Sequence, residues 1–225
     1  MRKQLYFGLL IFLFTSCMTT KRYATFVNEK IGKLGTEKEQ VKHWVVVTSK
    51  NGQPLNTVYE LKKNSFIPAI LYWSWNTTIE CELSLELRTQ YIKEGIYKAL
   101  NKLNIKELFG VSTIEINLKE VPGKFLYEKK GDAIIFIIAY SINGLEVIRP
   151  NPINLEFEYI ISNDDNSKIQ RTGYILNEEK PLSNLSKSSK KLTWLYLDHF
   201  KKETERMGKE IVLDIIEILE KSKAK

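Results

Sequence analysis

Few residues of this chain have the type and spacing that catalysis needs. His199 follows Asp198 in a segment with helical periodicity. Because adjacent residues of a helix do not face each other, we interpret His199 as an ordinary surface residue. Glu80 and Glu82 share one face of a predicted strand at a spacing of about 7 Å, which also fits the paired carboxylates of a glycosidase.

Glu156 and Glu158 repeat this carboxylate spacing in a second predicted strand. Acidic residues on the solvated face of a sheet produce the pattern by default, so we predict no catalytic residue and no enzyme. Two His and two Cys leave little material for a metal centre, and Asp164-Asp165 lacks the oxygen-ligand pattern of a calcium loop. The sequence contains no phosphate-binding loop or dinucleotide fingerprint, so no cofactor is predicted.

Three aromatic residues, Tyr72, Trp73 and Trp75, form the cluster with the clearest potential for binding. Trp73 and Trp75 share one face of a predicted strand, which favours an interpretation as core beneath a helix. The alternative is a ligand groove for a lipid chain, a peptide or a sugar ring, if the helices leave that face partly open.

The first residues of the chain predict export. Arg2 and Lys3 give a positive start, and residues 5–14 are almost wholly apolar. An apolar run of this length is typical of a signal peptide, whereas a membrane span needs about 20 residues. We therefore expect residues 1–16 to be a cleaved signal peptide.

The residues at the expected cleavage point are Phe14-Thr15-Ser16-Cys17. They resemble the lipobox that signal peptidase II recognises in bacterial lipoproteins, with Phe14 in place of the usual Leu. The resemblance implies a diacylglyceryl group on the Cys17 thiol and a fatty acyl chain such as palmitate on the new amino terminus. Because two or more acyl chains hold a protein stably on a bilayer, we expect a lipid-anchored membrane protein.

The residues after the lipobox bear on the membrane that holds the anchor. Met18 is not the Asp that retains many Gram-negative lipoproteins at the inner membrane, so we expect the outer membrane and a domain facing the periplasm. Loss of Arg2 and Lys3 lowers the formal net charge of +7 by two, and the remainder is no nucleic-acid footprint. Cys81 would then be the one free thiol, and we predict that it is buried.

Hydrophobic periodicity predicts the strands. Residues 43–48 and 55–61 read as a hairpin around an Asn-Gly turn, and alternation over residues 67–83 predicts one long half-buried strand. Residues 133–139 are apolar on both faces and predict a central strand, with Asn143-Gly144 as the hairpin turn after it.

The fold class that follows is α+β: a mainly antiparallel sheet of about six strands with two amphipathic helices, residues 85–103 and 190–221, on one face. We expect residues 17–41 to be a lipidated tether with one short helix near residues 25–31. Residues 42–225 would form a single domain.

The order of these elements behind a lipobox resembles the small envelope lipoproteins that assist lipopolysaccharide assembly or lipid-transport ABC systems. That resemblance implies non-catalytic binding of a membrane-protein partner or an amphiphile, with no nucleic-acid partner. Two alternatives remain open. An immunity or inhibitor lipoprotein would present a charged convex face, and a cell-wall or glycan hydrolase would need a cleft that includes Glu80, Glu82 or His199.

Overall fold

A computed structural model describes residues 18–35, 42–50, 56–67, 71–103, 105–135, 140–165, 167–184 and 188–223. The expected signal peptide, Cys17 and the Asn51-Gly52 turn lie outside the described residues.

The described residues form four helices and nine strands. The helices are α1 (Thr20–Leu34), α2 (Leu85–Lys102), α3 (Ile105–Phe109) and α4 (Ser189–Lys223). The strands are β1 (Val45–Ser49), β2 (Thr57–Ile67), β3 (Tyr72–Glu82), β4 (Val111–Glu120), β5 (Lys124–Ile135), β6 (Tyr140–Pro150), β7 (Leu155–Asn163), β8 (Lys168–Ile175) and β9 (Leu182–Asn184).

The α+β class is confirmed, but the strands form two sheets rather than one sheet of six. Four strands pair in the order β1-β4-β7-β8 and five in the order β2-β3-β5-β6-β9. The predicted hairpin of β1 with β2 is wrong, because β1 pairs in parallel with β4, Val45 opposite Ile114 and Val47 opposite Ile116. All four of these side chains are buried in the core of the first sheet, which explains the pairing.

The two predicted amphipathic helices are confirmed as α2 and α4, and Ser84 caps α2 by accepting a hydrogen bond from the Leu87 amide. Helix α4 packs against both sheets, its first half on the five-stranded sheet and its second half on the four-stranded sheet. The helices cross where Gly95 meets Gly208, and a Cβ on either glycine would overlap the backbone of the other helix. The glycines therefore allow a close crossing that covers both sheets.

The expected tether is in fact helical over most of its length. Helix α1 buries Tyr23 and Val27 completely in the core of the five-stranded sheet. The Trp194 indole N–H donates to the Phe26 carbonyl at 3.0 Å, which fixes α1 against α4. Apolar residues four apart form a helical stripe, and this stripe makes α1 part of the folded domain.

The strand predicted over residues 67–83 is shorter than expected and covers only Tyr72–Glu82. Ile67 ends β2, and Tyr72 begins β3, which pairs with β2 as an antiparallel hairpin. The predicted alternation is confirmed within β3, where Ile79 and Cys81 are fully buried. Burial raises the pKa of the Cys81 thiol to about 12, so the thiol has little nucleophilic character at neutral pH.

Candidate functional site

A row of paired residues marks where the helices stop covering the five-stranded sheet. Lys62, Thr77, Lys129 and Glu146 lie side by side on β2, β3, β5 and β6, and we call them the boundary row. Helix α4 begins at this row, since the Ser189 hydroxyl donates to Glu146 Oε1 at 3.0 Å.

The four strands continue beyond the boundary row, and none of the described helices lies over that part of the sheet. We call this extension the sheet tip: residues 63–67, 71–76, 130–135 and 140–145. From Thr77 to Tyr72, β3 advances by five residues, or about 17 Å at the rise of a strand. Among the side chains that the structure describes here, every one is exposed or half-buried.

Trp75 lies across Gly131 on the neighbouring strand. A Cβ at Gly131 would overlap the Trp75 ring, and Gly131 in turn pairs with Gly144 on β6. This packing explains why the predicted Asn143-Gly144 turn is wrong: both residues lie inside β6, and the absent side chains make room for an indole ring.

Trp73 and Trp75 do not form the core that their shared face predicted. Trp73 and Trp75 share a face with buried Ile79 and Cys81, but both lie beyond the start of α4 and are half-buried. Tyr72 is on the opposite face. No helix among the described residues covers this part of the sheet, and the ligand groove stays a prediction.

A shallow cleft of about 500 Å³ lies at the sheet tip, and Tyr72 and Trp75 both line it. The rest of its lining is largely polar. The Ser65 and Ser74 hydroxyl groups lie 2.6 Å apart, and the Asn143 amide donates to Asp132 at 3.4 Å. The cleft is too open to enclose a small molecule, so the feature that stands out is the apolar end of the sheet beyond it.

The end of the sheet tip is apolar on both faces. Ile67, Leu71 and Ile142 are exposed, Ile142 by 62%. In the sequence, residues 64–79 and 133–145 include no charged residue at all. Soluble proteins seldom keep such a surface exposed unless it binds something.

Leu71 shows that the exposed surface has a conformational cost. It has a φ of 45°, which leucine rarely adopts, and it is half exposed. The left-handed conformation costs about 1–2 kcal/mol for a residue with a Cβ. Glycine would avoid the cost, so an exposed leucine here is better explained by binding than by folding.

Basic residues surround the base of the sheet tip. Lys129 pairs with Glu146 at 3.2 Å and Lys130 with Glu128 at 3.4 Å. Lys62 and Lys63 occupy the corresponding positions of β2.

Helices α1 and α4 run parallel, and both begin at the end of the domain where the boundary row lies. Along α1, Phe26 contacts Trp194 and Lys30 pairs with Asp198 at 2.7 Å, so both helices advance in one direction. The described chain therefore starts, at Met18, near the boundary row.

The first turns of both helices carry positive charge. Lys21 and Arg22 begin α1, Lys190 and Lys191 begin α4, and neither first turn contains an acidic residue. The amino end of a helix is itself partly positive, so cations there are unfavourable by about 0.3–1 kcal/mol each. Lys190 reduces this cost by pairing with Glu29. This end of the protein thus suits an anionic surface.

A second cleft, of about 580 Å³, lies beside α4 and includes His199, Glu179 and Arg206. Burial, and to a smaller extent nearby Glu203, raises the pKa of Glu179 to about 7. A carboxyl group that titrates near neutral pH can donate or accept a proton. Sequence analysis missed Glu179 because its surroundings include Tyr196 of α4, which is distant in sequence and which no local pattern brings there.

The carboxylate pairs predicted from the sequence are not part of this cleft. Glu82 binds Arg88 at 3.1 Å and Lys124 at 3.2 Å, while Glu80 is exposed to solvent. Glu158 binds Lys119 at 3.3 Å on the other sheet. These contacts fit salt bridges on sheet surfaces.

Within the described ranges, no His, Cys, Asp and Glu side chains cluster in a way that could hold a metal ion. None of the described helices is both long and apolar enough to cross a bilayer. No protein-family model, curated protein or solved structure matches this chain. Its function is therefore inferred from its own residues and geometry.

Proposed function

We propose that this protein is a lipid-anchored envelope protein that binds an amphiphile or the apolar segment of a membrane-protein partner through the sheet tip. The observation that carries the proposal is an uncharged, exposed sheet end that no described element covers. Each 100 Å² of apolar surface removed from water contributes about 2.5 kcal/mol, which supports binding at this surface.

The expected lipid anchor and the sheet tip lie at the same end of the domain. Cys17 directly precedes Met18, and Met18 lies at the end of the domain from which the sheet tip extends. Acyl chains on Cys17 would therefore hold the sheet tip towards the membrane. On the lipobox resemblance, we place the protein at the outer membrane, facing the periplasm.

Site-specific photo-crosslinking in cells tests this proposal. A photoreactive amino acid at Ile142 should crosslink to a lipid or to an envelope protein. Leu213, on the outer side of α4, is a matched control because it is 58% exposed against 62% for Ile142. Equal crosslinking at both positions, or none at Ile142, would contradict a binding role for the sheet tip. Capture of a cell-wall enzyme at Leu213 alone would instead favour an inhibitor.

A second candidate function is hydrolysis of a cell-wall or glycan substrate in the cleft beside α4. The specific observation in its favour is the pKa of Glu179, about 7, in a cleft that also contains His199. The test is a hydrolysis assay on peptidoglycan with the native chain and the Glu179→Gln variant. Activity that the substitution abolishes would favour the enzyme over the binding protein.

A further inference from the structure

We infer that the occupant of the sheet tip is the membrane surface itself: the end of the sheet inserts into the interface of an anionic bilayer. The inference rests on the proposed function and identifies the ligand of the same site.

The two hairpins that form the end of the sheet tip lie side by side. Ile67 pairs with Tyr72 and Tyr72 with Ile134, while Ile135 pairs with Tyr140. The chain therefore reverses twice at one end of the sheet. Of the described residues at this end, Ile67 and Leu71 are exposed and apolar.

Apolar residues on both faces favour a bilayer over a protein groove. Trp73 and Ile142 belong to one face, while Ile67, Tyr72 and Ile134 belong to the other. A groove on a partner protein would cover one face of the sheet. A lipid phase surrounds an inserted end on all sides, which matches this distribution.

The depth of insertion follows from the positions of the aromatic residues and from the unpaired edge of the sheet. Tyr72 and Trp73 are one and two pairs from the hairpin end, and Tyr and Trp prefer the boundary between water and hydrocarbon. Strand β2 is an edge strand, whose unpaired backbone groups cannot enter the hydrocarbon core. Insertion should therefore stop at the interface, at a depth of about 5–10 Å.

Positive charge lies where the headgroups would be. Lys129 and Lys130 at the base of the sheet tip are each paired with a glutamate, so the positive charge comes from Lys21, Arg22 and Lys191 in the first turns of α1 and α4, which begin at the same end. Anionic headgroups would neutralise these groups and offset the unfavourable helix dipole. Asp132 lies between the lysines and the uncharged end, which again limits insertion to the last rows of the sheet.

The thiols of the chain allow a direct test on the acylated protein. Cys17 would be blocked by its lipid and Cys81 is fully buried, so Ile142→Cys introduces one reactive thiol. An environment-sensitive fluorophore is attached there and, as a matched control, at Leu213→Cys. Both variants are reconstituted through their acyl chains into vesicles of phosphatidylcholine with and without phosphatidylglycerol.

The inference predicts a blue shift and quenching by spin-labelled lipid at position 142, at least twofold stronger in anionic vesicles, and neither effect at position 213. A water-exposed label at both positions in anchored protein would overturn the inference while leaving the proposed function intact. Shielding that appears only at high protein density would also overturn it, because it shows contact between copies. Failure of the native protein to carry acyl chains would instead contradict the proposed function.

Discussion

The Trp75 indole ring occupies the space where Gly131, on the adjacent strand, would otherwise carry a side chain. Trp75 is therefore held on the sheet by a contact that only glycine permits. The packing stiffens the sheet tip at its base, while the residues nearer its end remain exposed.

This contact predicts that Gly131→Ala is destabilising. The added methyl group must displace the ring or the backbone, which costs about 1–3 kcal/mol in free energy of unfolding. Urea denaturation followed by circular dichroism measures the loss. Gly144→Ala is the matched control, because its Cβ would meet the nearest atoms at 4.0 Å, an ordinary contact. Equal stability of the two variants would show that Trp75 does not depend on Gly131.

Leu71→Gly should separate folding from binding. Glycine relieves the left-handed conformation, so we expect the free energy of unfolding to stay constant or to rise by about 1 kcal/mol. Crosslinking from Ile142 should nevertheless fall, because an exposed apolar side chain is lost. Leu213→Gly, in the interior of a helix, is the control and should cost about 1 kcal/mol. A loss of stability in Leu71→Gly would mean that Leu71 serves the fold.

Helix α1 should contribute to stability in a way that a tether would not. Val27 is completely buried, so Val27→Ala should lower the free energy of unfolding by about 2 kcal/mol through lost burial and a cavity. Val46, half exposed on β1, supplies the control, and Val46→Ala should cost under about 0.5 kcal/mol. Equal small losses in the two variants would mean that α1 does not pack as described.

Glu179 should make the protein less stable as the pH rises. The unfolded chain ionises this group from about pH 4.5, whereas the folded protein retains the proton up to about pH 7. Between these values the free energy of unfolding should fall, by no more than about 3 kcal/mol, and remain lower above pH 7. Glu179→Gln lacks this titration. Urea denaturation at pH 4 and pH 8 measures the difference, and identical pH dependence in both proteins would disprove the raised pKa.

Local sequence patterns predicted the helices, because the spacing of apolar residues that marks a helix is visible within a few turns of the chain. Ile92, Ile96 and Leu100 recur at helical spacing, and all three are buried in α2 as that spacing predicts. Strand pairing is not local. The alternation of Val45 and Val47 correctly indicated β1, but nothing nearby in the chain shows that its partner is β4.

The sheet tip was predicted only in part, because its packing also depends on contacts between residues that are distant in sequence. The Asn143-Gly144 pair has the chemistry of a turn, yet its position within β6 follows from the packing of Trp75, which is distant in sequence. The interaction of Glu179 with Tyr196 in α4 likewise joins residues that are distant in sequence. In each case a tertiary contact outweighs the local preference.

The central claim is that acyl chains on Cys17 hold the protein with its sheet tip facing a membrane. Mass spectrometry of the amino-terminal peptide from a membrane fraction tests the anchor directly, with the Cys17→Ala chain as the control. We expect a mature chain that begins at Cys17 and carries a diacylglyceryl group and an amide-linked acyl chain. A mature amino terminus without lipid, or a chain cleaved at another residue, would contradict the claim.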